Sequence, residues 1–220
     1  MSSFPGYPRL VKAAIVSLDI LNPIPNVILL QYNPKKISRS FQPTSPSGGG
    51  GGNPSEILRL NGPPVETIDI DEIEIDASEQ LEKPDQNAMA VQHGIYPQLS
   101  ALEMILYPKS SLVIANTILA ATGTMEITPP VGPLTLFIMG PKRVLPVLMK
   151  SLRISEEEYD PDLNIIRATI SVSFQVLTYN DLSILHPAYA LSIANQVARE
   201  VLATFSLTNT LSSTGVTSPI

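Results

Sequence analysis

Between Val65 and Asp76 the chain reads Val-Glu-Thr-Ile-Asp-Ile-Asp-Glu-Ile-Glu-Ile-Asp, and Asp69, Asp71, Glu74 and Asp76 are its densest set of groups that could do chemistry. Alternate residues of a strand share a face, so these carboxylates could hold a hard cation such as calcium or, if desolvated, act as a catalytic pair with one raised pKa. No EF-hand-like run and no glycine turn inside the cluster accompanies them. A solvated or interface-facing strand surface accounts for the same pattern. Lys35, Lys36 and Arg39 form the local basic patch near an exposed turn. They are suited either to pairing with the acidic strand of a neighbouring copy or to solvent.

Other candidates are weaker. His93 precedes Gly94 and His186 precedes Pro187, and an imidazole can serve as a general base. With no Gly-x-Ser-x-Gly setting and no further histidine, both are expected in turn or cap positions, and no catalytic residue is assigned. Gly48 to Gly52 lack the flanking strand and helix and the following Lys-Ser/Thr of a phosphate cradle, and are expected to be a linker. The absence of cysteine excludes a disulfide scaffold, thiolate catalysis and Cys-based metal centres. No metal and no cofactor are expected. A net charge of −6 argues against a nucleic-acid binder that works by neutralising phosphates.

The elements that position these groups follow from patterning. The chain has 220 residues, 44% of them apolar and 15% charged, enough to bury one core. Its 21 prolines favour short strands and loops over a helical bundle. Val11 to Ile20 and Val27 to Tyr32, separated by Asn22-Pro23, predict a hairpin that stops at Asn33-Pro34. Ile37 to Phe41 predicts a third strand, and 43–55 a flexible Gly-rich loop, after which come Ile57 to Leu60 and the Val65 to Asp76 strand. In Val65 to Asp76 the alternation slips by one residue at Glu72, which predicts a bulge.

Ala77 to Lys83 and Gln98 to Tyr107 read as helices, and the weakly polar stretch Ser110 to Thr124 as a buried segment too short to span a bilayer. Leu134 to Met139 and Val144 to Ile154 predict a second hairpin, with an acidic turn from Ser155 to Pro161. In Arg167 to Val176 the residues Ala168, Ile170, Val172, Phe174 and Val176 face a core, opposite an uncharged polar face. Pro187 to Phe205 predicts an amphipathic helix with proline in its first turn. The expected organisation is one domain over 1–205 and a flexible tail over 206–220. The N-terminus does not read as a secretory signal, so synthesis in the cytoplasm is expected.

The order of several segments carries a resemblance. Lys12-Ala-Ala-Ile, Val27-Ile-Leu-Leu-Gln-Tyr-Asn-Pro34, Leu60-Asn-Gly62, the strand ending at Asp76, Pro133-Leu-Thr-Leu-Phe-Ile-Met-Gly140, Leu152-Arg-Ile-Ser-Glu-Glu-Glu-Tyr-Asp160 and Ile166 to Phe174 follow one another here. Over about Leu10 to Tyr179 the chain resembles the tube-type proteins of phage-tail-like contractile injection systems, and within them the baseplate tube-initiator or hub-adaptor subunit.

The resemblance implies a mainly β, α+β fold: a tube-type antiparallel β-barrel or sandwich with packed helices. It implies a ring of six copies whose sheets join around a lumen, placed between a trimeric VgrG-like spike and the hexameric inner tube, beside other baseplate subunits. Such a ring adapts symmetry and initiates tube assembly without bond chemistry, nucleic acid or direct membrane insertion. Its particle is assembled in the cytoplasm and is then retained or released. Longer relatives carry a LysM module, for which this sequence has no segment, so peptidoglycan contact is not expected. A bulk inner-tube or phage tail-tube protein is the alternative within this class. A soluble β module that binds a cation through the acidic strand is the alternative outside it.

Overall fold

Period-two alternation of apolar and polar residues decides the architecture. The computed structural model describes residues 11–19, 22–44, 61–122 and 132–214. Among them seven strands, β1 (Ala14–Asp19), β2 (Asn22–Leu29), β3 (Ser38–Gln42), β4 (Val65–Asp76), β5 (Leu134–Ile138), β6 (Val144–Tyr159) and β7 (Ile165–Val176), form one antiparallel sheet. Their order is β2-β1-β5-β6-β7-β4-β3. With five α-helices added, the fold is mainly β, α+β, as expected.

The two ends of this sheet are consecutive in the chain, and one continuous segment joins them. Up to Leu30, whose N–H donates to the Ala13 carbonyl at 2.9 Å, the segment runs antiparallel to β1. From Gln31 onward it runs antiparallel to β4. The Gln31 amide exchanges two hydrogen bonds of 2.8 Å with the backbone of Asp76. Lys35 Nζ lies 3.8 Å from Glu72, and Ser38 to Gln42 then pair with Asp69 to Val65. These contacts share one antiparallel register, because the two residue numbers of each pair sum to the same value.

The segment therefore changes partner once and rolls the sheet into a barrel-like form. Pro34 has no N–H to give to a ladder, so a side-chain amide and an ion pair stand in for backbone bonds at the change of partner. Asn33, beside it, ties back to β1, accepting the Ala13 N–H at 2.8 Å and donating to the Val11 carbonyl at 3.0 Å.

Inside lie Ile15, Leu30, Ile68, Ile70, Ile73, Phe137, Ile170 and Phe174, each at most 1% exposed. The Phe137 and Phe174 rings stack at 5.4 Å. β7 buries the face expected from its alternation. The register of β4 against β7 shifts between Ile70 and Ile73, which is the expected bulge. It returns Ile73 and Ile75 to the core after two exposed acids, Asp71 and Glu72.

Short helices α1 (Ser78–Leu81), α2 (Ala88–His93) and α3 (Tyr96–Glu103) follow β4. Ile95, Leu99, Leu102 and Ile105 add one apolar layer to the core. Gly94 starts this layer at φ +57°, where a Cβ would sit 2.1 Å from the Ile165 carbonyl oxygen. Only glycine fits there.

Three expectations change. The described part of Ser110 to Thr124 is not buried: Ser110–Ala121 forms helix α4, and none of its residues is buried. Apolar content measures what a segment could bury, and here the layer at Leu99 and Leu102 already covers the core. The acidic stretch from Ser155 is strand, not turn, because β6 continues to Tyr159 on the hydrogen bonds of β7. The last helix, α5 (Pro187–Thr214), runs past Phe205 into the expected tail, since lengthening an existing helix costs far less than starting one, even through a stretch rich in Ser, Thr and Asn. Ile57 to Leu60 and most of the Gly-rich loop lie outside the described residues, and the helix predicted over Gln98 to Tyr107 spans Tyr96–Glu103.

Candidate assembly surfaces

β4 and β6 are both antiparallel to β7, so they run in the same direction, and the barrel has two chemically different ends. Asp76 and Glu158 belong to one end, Glu66 and Val144 to the other. The first end is acidic. Glu74 of β4 and Glu156, Glu157 and Glu158 of β6 are exposed towards it, and Asp71 and Glu72 are exposed at the bulge in the middle of β4. Arg167 of β7 lies between the two strands, donating to Asp76 Oδ2 at 2.8 and 3.1 Å and to Glu158 Oε1 at 2.7 Å.

Burial opposes the ionisation of Asp76. Hydrogen bonds from the Ser78 hydroxyl and N–H, together with Arg167, outweigh it and hold the carboxyl below its ordinary value. The same contact with Asp76 holds the Arg167 guanidinium above its ordinary value. β6 and β7 meet at a turn in which Asp160 accepts from the N–H and side-chain amide of Asn164 (2.7 and 2.8 Å), which lowers the Asp160 pKa. Leu163 sits there at φ 63° and is 79% exposed.

The predicted interface residues divide into spent and unspent groups. Asp69 accepts a hydrogen bond from the Ser173 hydroxyl, Asp76 is tied to Arg167, and Arg39 to Glu66. Lys35 meets Glu72 of its own chain, with both side chains more than half exposed. Asp71, Glu74 and Lys36 are exposed and have no side-chain partner among the described residues. The polar face of β7 is also partly used: besides Ser173, the Ser171 hydroxyl donates to the Asp71 carbonyl and Thr169 to Glu157. No group of three or more His, Asp or Glu side chains that could hold a metal ion occurs among the described residues.

The opposite end is built around a residue the sequence reading passed over. Glu66 shares the inward face of β4 with Ile68 and Ile70 and is 2% exposed. Arg39 of β3 donates through Nε (2.8 Å) and Nη2 (2.5 Å) to its Oε1, and Arg199 of α5 donates to Oε2 at 2.6 Å. Arg143 stands close enough to feel all three charges. Burial, then Arg39 and Arg199, push its pKa below the ordinary guanidinium value against the opposing pull of Glu66. The signal in the sequence was parity, since Glu66 falls on the same alternate positions as the buried isoleucines. Next to this carboxylate lies a groove of about 490 Å³ beneath α5, lined by Pro63, Leu145, Val176, Tyr179, Asn195 and Arg199 among others.

Histidine has structural positions. His186 Nδ1 accepts the Ala188 N–H at 3.2 Å at the start of α5, and His93 is exposed at the end of α2.

Apolar surface outside the barrel completes the set. Val27 and Leu29 stand outward on β2, and the edges of β2 and β3 not used against β1 and β4 have no strand partner among the described residues. α4 exposes Val113, Ile114 and Ile118, and α5 exposes Val197, Val201 and Leu202 on either side of Arg199, which ties it to Glu66. No described helix is long and apolar enough to cross a membrane. No protein-family model matches the chain, and no curated protein matches it at a significant level.

Proposed function

We propose that this chain is a structural subunit of a contractile injection system baseplate, forming a ring of six that adapts a trimeric VgrG-like spike to the hexameric inner tube and initiates tube assembly. The observation that carries the reading is the outer surface of the barrel. It combines half-used strand edges with apolar helix faces that its own core does not cover, which is the surface of a subunit that needs neighbours. The ordered segments from Lys12 to Phe174 supply the particular assembly, and the unlike ends of the barrel suit a ring that meets a different partner on each side. The role needs no bond chemistry and no cofactor. The particle would assemble in the cytoplasm and then be retained or released.

The test is the composition of complexes recovered with a tagged copy from the native cell. Sheath, tube and spike proteins with about six copies of this chain per particle support the adaptor. Many copies per particle would make it the bulk tube protein instead. A lone monomer would remove the assembly reading and leave the acidic strand, to be tested by calcium-dependent stabilisation.

A further inference from the structure

Two helices of this chain carry apolar faces of like size that no described residue covers. α4, Ser-Ser-Leu-Val-Ile-Ala-Asn-Thr-Ile-Leu-Ala-Ala, contains no charged residue in 12 positions, and Val113, Ile114 and Ile118 are 49%, 58% and 58% exposed. A 12-residue helix is marginal in water unless tertiary packing holds it. Its more covered positions, Leu112 and Leu119, are only half-buried. On α5, Val197, Val201 and Leu202 follow helical spacing and are half to two-thirds exposed, with Ala194 and Ala198 beside them.

Each stripe, Val113 to Ile118 and Val197 to Leu202, spans six residues, or about 9 Å, and both have alanines beside the larger side chains, which lets two helices approach to the usual 8–10 Å. An uncharged face is covered well only by another apolar face, because a charged partner would lose its hydration without gaining a counter-charge.

We propose that α5 of one copy lays Val197, Val201 and Leu202 against Val113, Ile114 and Ile118 on α4 of the next copy, so that copies associate head to tail. The inference rests on the reading that the chain assembles with itself, and adds to it the elements in contact and their handedness of use. Each copy offers one donor face and one acceptor face. A contact of that heterologous kind closes into a ring when its rotation divides a full turn and grows into a filament when it does not. The six side chains expose on the order of 600 Å², about half of what the smallest standard interfaces bury, so the helix pair is one component of a contact that the strand edges extend.

The chain has no cysteine, which makes introduced thiols unambiguous. Ile118→Cys, Val201→Cys and the double variant would be made in the full chain, oxidised both as purified protein and in the complexes recovered with the tagged copy, and resolved on denaturing gels beside native mass measurements. The double variant is expected to give a ladder of covalent multimers, the two single variants mixed together a dimer, and either single variant alone only monomer. A dimer from a single variant would show a two-fold contact and overturn the proposal. An internally crosslinked monomer from the double variant would place the contact within one chain and also overturn it. Multimers by native mass without crosslinks would leave the ring reading standing and refute this contact, whereas monomers without crosslinks would refute both. The substituted positions are exposed, so an unchanged melting temperature separates each result from misfolding.

Discussion

Replacing Glu66 with glutamine keeps the shape of the side chain and removes the one carboxylate that Arg39 and Arg199 share. Three charge-assisted hydrogen bonds reach it, and it is 2% exposed, so it cannot turn to water when a partner is lost. Breaking a fully buried ion pair costs about 3–5 kcal/mol. Arg39 and Arg199 are 33% and 45% exposed, so each keeps part of its hydration, and the low end of that range applies, about 3 kcal/mol. For a chain of this size each kcal/mol moves the melting temperature by about 2–4 °C, so Glu66→Gln is expected to melt roughly 6–12 °C lower.

The assay is thermal and urea unfolding of Glu66→Gln, Arg199→Gln and the double variant. A double-mutant cycle should return a coupling on the order of 1–3 kcal/mol, since the two groups touch. The loss should appear as a shift of the urea midpoint with an unchanged slope, because the barrel itself stays folded. A shift of less than about 2 °C, or a coupling indistinguishable from zero, would place this cluster with ordinary surface ion pairs. The claim that a buried carboxylate fastens α5 to the barrel end would then be wrong.

Three further outcomes are expected. Asp76 has a lowered folded-state pKa, so its contribution is fully present above the ordinary value near 3.8 and is lost as pH falls through the lowered value; Asp76→Asn should flatten the stability curve in that acid window relative to the parent chain. Gly94→Ala places a Cβ 2.1 Å from a backbone oxygen at φ +57°, and a loss of more than about 2 kcal/mol in urea unfolding is expected, where a cost below 0.5 kcal/mol would show that this turn adapts freely. Joint charge reversal of Asp71 and Glu74, both exposed and without side-chain partners among the described residues, should leave the melting temperature within about 1–2 °C while lowering the yield of unlike partners in complexes recovered with a tagged copy; an unchanged yield would remove these two residues from that interface.

How much of this was legible in the sequence depends on whether a residue's fate is set by near neighbours or distant ones. β7 and the β4 bulge were readable because one face of each strand meets the core, and burial on one side writes a period of two into the chain. From Ser155 to Tyr159 every residue is exposed, so no alternation is written there and only the pairing with β7 makes it a strand. α4 was legible as apolar, but burial is a property of what lies opposite. Asn33-Pro34 looked like the end of a strand. It is the point where one strand leaves β1 for β4, and the Gln31 to Asp76 exchange that replaces the ladder crosses 45 residues. Glu66 could be placed inward by parity, yet Arg199, which neutralises it, is 133 residues away.

The barrel is closed by its own chain, through Gln31, Lys35 and β3, so the fold does not need a neighbour to complete its interior. What it leaves unmet lies outside and divides by direction. Around the sides are the half-used edges of β2 and β3 and the apolar faces of α4 and α5, chemistry that a copy of the same chain can satisfy. At the ends the chemistry is charged and unlike: a rim of carboxylates in part neutralised by Arg167, and an arginine cluster organised by a single glutamate. Apolar contacts resist salt and charged ones do not. If the sides hold like copies together and the ends hold unlike partners, raising ionic strength should separate rings from their axial neighbours before it separates the rings into monomers. The opposite order would mean that charge, not the α4 and α5 faces, holds the ring.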